Sequence, residues 1–430
     1  MQARLAAVNV VSAVVDDGRS LSALQDVFDA VDPSRDRALA MELSYGVLRW
    51  RWQLDGIAHR LLSKPLRRRD RDVMLLIWVG IYQLLHMRIP PHAAVTETVN
   101  AVRAMDKEWA AGLVNACLRR FVRERDGLLA QADQADEQAL SYPRWWLARL
   151  RRDWPAQWRE IAEAGNRRAP MTLRTNKLRI EREQLSARLT EAGLSHALCA
   201  YSSDGIRLDE PVDVAKIPGF VDGSCSVQDE AAQLAPGLLD LGPDQRVLDA
   251  CAAPGGKACH LAECSPRSQV VAVDIDAVRM RRVDENAARL GVALRSTVGD
   301  VAKPAQWWDG QLFDRMLLDA PCSASGVVRR HPDIKSLRRD EDISALAVTQ
   351  QDLLENLWPL LKPGGILLYV TCSVFREEND AVVAHFLAGH PGAMEYPIDS
   401  QWGNKLAVGQ QILPSEQMMD GFYFARLVKR

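Results

Sequence analysis

Two cysteines carry the strongest chemical signal in this chain. One closes Asp319-Ala320-Pro321-Cys322 and the other lies within Thr371-Cys372-Ser373, each at the tip of a run that reads as a β-strand. If those strands are neighbours, about 4.8 Å apart, both thiols project into one cleft. Either cysteine alone has a bland explanation, because free cysteine is commonly buried, and two thiols in a cleft also describe a disulfide pair. Both at strand tips beside a cofactor slot is harder to explain structurally. The chemistry that requires such a pair is methylation of a pyrimidine at C5. The ring is electron-poor, so C5 is a weak nucleophile. A thiolate adding to C6 makes C5 enamine-like and able to attack a sulfonium methyl group. A base must then remove the C5 proton so that the bond to the enzyme breaks. A free thiol titrates near ~8.5, so the thiolate needs support. Cys372 precedes a helix expected to start near Glu377, whose N-terminal dipole would favour the charged form.

The slot is spelled by Val247-Leu248-Asp249-Ala250-Cys251-Ala252-Ala253-Pro254-Gly255-Gly256-Lys257. An apolar run that ends in an acid and a Gly pair reads as a buried parallel strand turning into a helix. Ligands bind such sheets at the carboxyl tips of the strands. The pattern is not G-x-G-x-x-G, which argues against NAD and an oxidoreductase. Asp274 ends the next expected strand and could accept hydrogen bonds from both hydroxyls of a ribose. Asp300, in Val298-Gly299-Asp300, could hold an adenine amino group. Each alone also reads as a helix N-cap. Together they outline a nucleoside-shaped slot that fits S-adenosylmethionine without a pyrophosphate cradle.

These groups need a scaffold, and residues 233–430 read as a doubly wound α/β domain. Strands are expected at Arg246–Ala250, Val270–Asp274, Arg295–Val298, Arg315–Asp319 and Ile366–Thr371. Helices are expected at about Gly256–Glu263, Ala277–Leu290, Ser344–Leu361 and Glu377–Leu387. Repeated βα units imply a parallel sheet covered on both faces. Ile412-Leu413-Pro414 and Gly421 to Leu427 suggest a closing antiparallel pair. Residues 1–140 read as an all-helical bundle with no strand pattern. Residues 141–232 read as a small α+β module, with a strand at Met171 to Asn176 and a helix from Arg182 to Ala192. Gln131 to Gln138 is polar and Ala-rich, as a linker or frayed helix would be.

The chain has 430 residues, 47% hydrophobic and 26% charged, the balance of a globular protein, and its net charge is only −2. No apolar run reaches membrane-spanning length. The first fifteen residues read as a helix and not as a signal peptide. Eight cysteines without a C-x-x-C pair argue against a zinc site and for a reducing, cytoplasmic setting. The distribution of charge says more than its sum. From Arg144 to Arg188 there are twelve Lys and Arg against five Asp and Glu, a local basic footprint of the kind nucleic acid selects. Leu147, Leu150 and Trp154 fit one helical face, which leaves Arg151, Arg152, Arg167 and Arg168 as the exposed part. Arg329, Arg330, His331 and Lys335 follow Cys322 and are placed to grip an RNA backbone. A single-stranded or looped target is expected, because a paired base costs a few kcal/mol to unstack.

The combined motifs resemble the RNA cytosine-C5 methyltransferases. The resemblance rests on Asp249 to Lys257, Asp319-Ala320-Pro321-Cys322-Ser323, His331-Pro332-Asp333, and Thr371-Cys372-Ser373 with Glu378-Asn379. In front of them, Leu43-Ser44-Tyr45-Gly46-Val47-Leu48-Arg49 and Val114-Asn115-Ala116-Cys117-Leu118-Arg119-Arg120 look like a NusB-type domain, an RNA- and protein-binding helical bundle. The resemblance implies that Cys372 is the nucleophile and that Cys322 assists product release. It implies that Cys251, Ala252, Ala253, Pro254, Gly255, Gly256, Lys257, Asp274, Asp300 and Asp319 line the S-adenosylmethionine site, with Asp319 and Lys257 also touching the base. The family's threonine after the motif lysine is Ala258 here. The implied fold is a NusB-like bundle, an α+β RNA-binding module and a Rossmann-like methyltransferase domain. The implied substrate is one cytosine of 16S ribosomal RNA, cytosine 967, met in free RNA or an early assembly state by a monomeric enzyme that needs no metal or membrane. The alternative is an RNA-binding assembly factor carrying an inert methyltransferase fold. Two intact cysteines argue against it.

Overall fold

A computed structural model describes residues 2–414 and 418–430. Its contacts divide the chain into two compact units, Met1–Arg168 with Val328–Asp340, and Ala169–Val327 with Glu341–Arg430.

The first unit is helical. Its long helices are Gln2–Val15, Ser34–Arg49, Arg51–Leu61, Arg71–His86, Pro91–Arg103 and Ala111–Ala132. In Arg71–His86 every residue from Val73 to Gln83 is buried. A helix that is apolar all round belongs at a centre, and this one packs against all five of the other long helices. Gly46 lets the Ser34–Arg49 helix approach it, since a Cβ there would lie 1.9 Å from the Tyr82 ring. The stretch expected as a linker or frayed helix is helical in part and packed. The last long helix runs to Ala132, a short turn follows at Asp136–Ala139, and Gln138 Oε1 accepts a 2.8 Å hydrogen bond from Arg60.

Residues 328–340 complete this unit, although the sequence reads them as a loop of the catalytic domain. Lys335 is 1% exposed and donates to Arg49 O, Ser141 O and Asn166 Oδ1 at 2.7–2.8 Å. Its ammonium also sits 4.1 Å from the Tyr142 ring centre. Asp333 accepts from the Leu21 N–H at 3.0 Å, and Arg49 donates to Arg329 O at 2.9 Å.

The second unit carries both sheets. Strands β1 (Met171–Thr175), β2 (His196–Leu198), β3 (Gly205–Leu208) and β4 (Cys225–Val227) form an antiparallel sheet of order β2-β3-β1-β4. The helix Arg182–Glu191, opened by a capping box of Glu181 and Gln184, packs its Leu185 and Leu189 into the same core as Leu173 and Ile206.

The larger sheet has nine strands. They are β5 (Arg246–Ala250), β6 (Gln269–Asp274), β7 (Arg295–Val298), β8 (Phe313–Asp319), β9 (Leu361–Thr371), β10 (Ala393–Glu395), β11 (Asn404–Lys405), β12 (Gln410–Ile412) and β13 (Phe422–Lys429). The order is β11-β12-β13-β9-β8-β5-β6-β7, with β10 on β13. Strands β5 to β9 are mutually parallel and β13 is antiparallel to β9. The chain leaves β5 toward β6 and β7, then crosses back to β8 and β9. That reversal places a crevice at the carboxyl tips beside β5. Strand β9 begins earlier than the sequence suggests. Lys362 to Gly365 form an irregularity between the pairs Phe313–Leu361 and Arg315–Ile366, so Pro363 and Gly364 read as a turn although the ladder continues past them.

Candidate active site

The two cysteine segments lie at the tips of neighbouring strands. Asp319 at the end of β8 pairs with Val370 of β9. Cys322 follows three residues later, and Cys372 follows the last residue of β9. Their sulfurs are 3.5 Å apart. Cys322 is 8% exposed, while Cys372 is half-buried. The Cys372 neighbour pushes the Cys322 thiol well above the ordinary cysteine value, with burial and the charge of Glu378 adding to it.

The glycine turn stands at the end of the next strand, β5. Gly255 holds φ at +96°, a left-handed conformation that suits glycine, and a Cβ there would crowd Val283. Lys257, in the first turn of the helix Gly256–Cys264, donates to Asp319 Oδ2 at 2.7 Å. Burial pulls the Lys257 ammonium down, but Asp319, Cys372 and Asp249 more than offset this and raise it. The helix after Cys372 starts at Asp380, later than expected, behind a 3₁₀ turn at Arg376–Glu378. The cation that the geometry assigns to the crevice is therefore Lys257, whereas the sequence pointed to a helix dipole.

The expected cofactor residues fall around this turn. Asp274 is 4% exposed, and its carboxylate accepts from the Ala253 and Asp276 N–H groups at 3.0 Å each. It braces the turn, and each oxygen keeps acceptor capacity for a ligand. Asp300 is half-buried. A 3.0 Å pair with Lys303 holds its carboxyl below the usual range. Ala252, Ala253 and Ala258 are buried, while Pro254 and Gly256 are exposed. Burial pushes the half-buried Cys251 thiol up, and Asp319 and Asp274 add to it.

Three features were not assigned a role from the sequence. Asp249 is fully buried and neither carboxylate oxygen has a hydrogen-bond partner. Burial, then Asp319, push its carboxyl well above the ordinary value. The acid at the end of an apolar strand was legible, but its isolation was not. Ile275 and Val298, beside Asp274 and Asp300 in sequence, are 68% and 53% exposed, an unusual cost for strand-end aliphatics. Glu378 is wholly buried between the cysteine segments.

Of the expected RNA-contact arginines, Arg151, Arg152, Arg167 and Arg168 are exposed. Arg329 is 4% exposed and Arg330 half-buried, and Lys335 is interior. The expectation of an open basic stretch is corrected for Arg329 and Lys335, which are buried within the helical unit, while His331 is exposed. Among the described residues no group of three or more His, Cys, Asp or Glu is arranged to hold a metal, and no helix is long and apolar enough to cross a membrane.

Comparison with known proteins gives this arrangement a family. A model described as 16S rRNA methyltransferase RsmB/F matches residues 236–428. An RsmF/B-like ferredoxin-like domain matches 142–215, and the NusB family matches 1–123. The ribosomal RNA small subunit methyltransferase B of Pseudomonas syringae pv. tomato is 48% identical over 100% of this chain and 97% of its own length. The chain belongs to the 16S rRNA methyltransferase RsmB/F family. The Vibrio cholerae protein of the same name is 46% identical, covering 100% of this chain and 98% of its own. The crystal structure of a methyltransferase homolog from Pyrococcus horikoshii matches 68% of this chain and 97% of that one, with a TM-score of 0.61 at 29% identity. The crystal structure of PH0851 covers 100% and 99% with a TM-score of 0.82, and at 23% identity this is a likeness of fold. The fold of this RsmB/F member is thus a NusB-type helical domain, a ferredoxin-like module and a Rossmann-like methyltransferase domain with a mixed sheet.

Proposed function

We propose that this RsmB/F member methylates C5 of one cytosine of 16S ribosomal RNA, cytosine 967, through a covalent bond from Cys372 to C6. The observation that carries the reading is the pair of sulfurs 3.5 Å apart, at strand tips adjoining the Lys257–Asp319 pair.

Bound S-adenosylmethionine supplies an electrophilic methyl group in the crevice beside β5. Asp274 would receive its ribose and Asp300 its adenine edge, with Ile275 and Val298 offering apolar faces to the ring. Gly255 and Gly256 let the backbone come close. Asp249, an acid sealed without a partner, suits the ammonium end of the donor better than it suits an apolar core. The Cys372 thiolate would add to C6, and the electron pair displaced toward C5 would take the methyl group as the bond from that carbon to the donor's sulfonium sulfur breaks and the neutral thioether leaves. Transfer of the C5 proton to the Cys322 sulfur would then restore the double bond and expel the Cys372 sulfur as the thiolate. Lys257 offers positive charge to the sulfur and, with Asp319, polar contacts to the base. The neighbour that most strongly keeps Cys322 protonated is Cys372. Once the Cys372 sulfur is bonded to carbon it no longer carries that charge, and Cys322 becomes easier to ionise at the stage when C5 must lose its proton. The segments 1–140 and 141–232 bind and present the RNA, and 233–430 performs the transfer.

The test is a pair of variants assayed on a 16S ribosomal RNA transcript with labelled donor. Cys372→Ala should lower methyl incorporation about 10³-fold or more while leaving donor affinity unchanged. Cys322→Ala should accumulate a protein–RNA adduct that survives denaturing electrophoresis. Retained turnover in Cys372→Ala refutes the nucleophile. Free product without an adduct in Cys322→Ala refutes the release role.

A further inference from the structure

The geometry points to Glu378 as the positioning residue of this site, the group that clamps the two cysteine segments into one register. The inference rests on the reading of Cys372 and Cys322 given above and adds a residue that acts through both.

Glu378 is 0% exposed. Its Oε1 accepts from the Ser323 N–H at 2.7 Å and from Gln350 Nε2 at 3.3 Å. Its Oε2 accepts from the hydroxyls of Ser323 and Ser373 at 2.6 Å each. Ser323 follows Cys322 and Ser373 follows Cys372, so one oxygen atom joins the residues next to both thiols. Gln350 also donates to Pro321 O at 2.9 Å, on the other side of Cys322. The backbone of Glu378 is itself fixed, because the Tyr369 hydroxyl of β9 donates to its carbonyl at 2.7 Å. A second tie runs directly between the segments, from the Gly326 N–H to Cys372 O at 2.8 Å.

The serine hydroxyls have their other capacity filled. Ser373 Oγ accepts from the Phe375 N–H at 3.0 Å, and Ser323 Oγ accepts from the Ser325 N–H at 3.3 Å. With backbone donors occupying their lone pairs, their protons point toward an acceptor. A carboxylate is an acceptor only, with room for four donors, which is the number supplied. An amide in its place would aim N–H groups at N–H and O–H groups. Burial pushes the Glu378 carboxyl up, and the hydrogen bonds from Ser323, Ser373 and Gln350 pull it back. Its charge also helps keep Cys322 a thiol while Cys372 takes the nucleophilic role. A buried charge that serves only packing costs stability and is readily replaced by apolar groups. Here it fixes two loops at the spacing on which both proposed sulfur steps depend.

The experiment uses the full chain in the Cys322→Ala background, a 16S ribosomal RNA transcript and S-adenosylmethionine, and reads adduct formation in a single turnover. Rates are referred to the fraction of protein that binds the donor. Glu378→Gln should slow adduct formation about 10- to 100-fold, the penalty of reacting groups displaced by about an ångström. The RNA concentration for half-saturation and the donor affinity should stay within about twofold of the parent, since only alignment is disturbed. Ser323→Ala and Ser373→Ala each remove one leg of the clamp with little effect on folding, and each should slow the step about tenfold or less, still outside error. They decide the matter if Glu378→Gln does not fold. Parental adduct rates in the variants that fold overturn the inference, as does a rise in half-saturating RNA with an unchanged maximal rate. Methylation surviving in Cys372→Ala overturns the underlying nucleophile assignment instead, so the two failures are distinguishable.

Discussion

Around Cys322 and Cys372, buried polar groups are answered by other buried groups. Glu378 takes four donors, Thr371 donates to Asn379 at 2.5 Å, and Asn379 and Gln411 both hold Ser373 O at 3.0 and 3.1 Å. Along Arg144 to Arg168 the guanidiniums of Arg144, Arg151, Arg152 and Arg168 are exposed and rest against carboxylates, while Arg149 is largely buried against Asp340. Arg144 meets Glu137 and Arg152 meets Asp153 at 2.8 Å, Arg151 pairs with Asp136, and Arg168 with Glu42. Such exposed pairs are worth about 0–1 kcal/mol and exchange freely for a phosphate. The contrast teaches that covalent chemistry is placed on a network that resists movement. On the proposed function, grip on a polyanion would be left to side chains that lose little by changing partner.

Lys335 gives the sharpest way to break this contrast, because it is a cation in the helical unit built like the catalytic network. Three acceptors meet its three N–H groups, and burial, with Arg49 beside it, pulls the ammonium well below the ordinary lysine range. Lys335→Met would orphan Arg49 O, Ser141 O and Asn166 Oδ1 in the interior. Stability should fall by about 3 kcal/mol, read as the urea midpoint at constant slope. The salt dependence of RNA binding should not move. A shallower salt slope with unchanged stability would make Lys335 an RNA contact after all and erase the distinction between buried and exposed cations.

Asp249 sharpens the comparison from the other side, since it is buried but unanswered. Asp249→Asn should lower donor affinity about tenfold, by loss of a charged contact, measured by calorimetry. The folded-state carboxyl is raised above its unfolded value, so the ligand-free fold loses stability as pH rises from the unfolded carboxyl range through the folded value. The variant lacks that loss. Its melting temperature should therefore exceed the parent's by more at pH 8 than at pH 5. Unchanged donor affinity would return Asp249 to an unexplained feature of the strand.

The parallel strands, the glycine turn and the two cysteines were legible because local pattern dictates them. Arg246–Ala250 and Gln269–Asp274 fall where their apolar runs put them, and sulfur at a strand tip is visible in one dimension. Glu378 was visible only as a letter near Cys372. Its role depends on Ser323, which is 55 positions away in sequence, and on a pairing of β8 with β9 that no local pattern encodes. Residues 328–340 misled for the same reason. Arg329, Arg330, His331 and Lys335 have the composition of a surface grip. Whether a lysine is solvated or enclosed is decided by tertiary acceptors, here Arg49 O and Ser141 O, that lie hundreds of residues upstream. The helix reaching Ala132 reflects burial of Leu128 and Ala132 among residues that looked like linker.

The smallest effect is expected from the exposed arginines. Changing Arg151, Arg152, Arg167 and Arg168 together to Gln should weaken RNA binding several-fold near 0.1 M salt. Four contacts to a single strand would contribute up to about 2.8 to the slope of log affinity against log salt, at ~0.7 per phosphate. The observed loss should be smaller, because Asp136, Asp153 and Glu42 already neutralise three of the four in the free protein, and releasing them offsets part of the gain. Adding Asp136→Asn to the parent frees Arg151 from its carboxylate and should move affinity the opposite way. Filter binding across a salt series reads both. If the quadruple variant and Asp136→Asn both leave the slope unchanged, RNA is held by other surfaces and this basic stretch is an ordinary solvated face. If the slope falls by the full four contacts, the surface carboxylates do not compete with phosphate, and the adaptable grip drawn from this contrast gives way to one preset like the catalytic cleft.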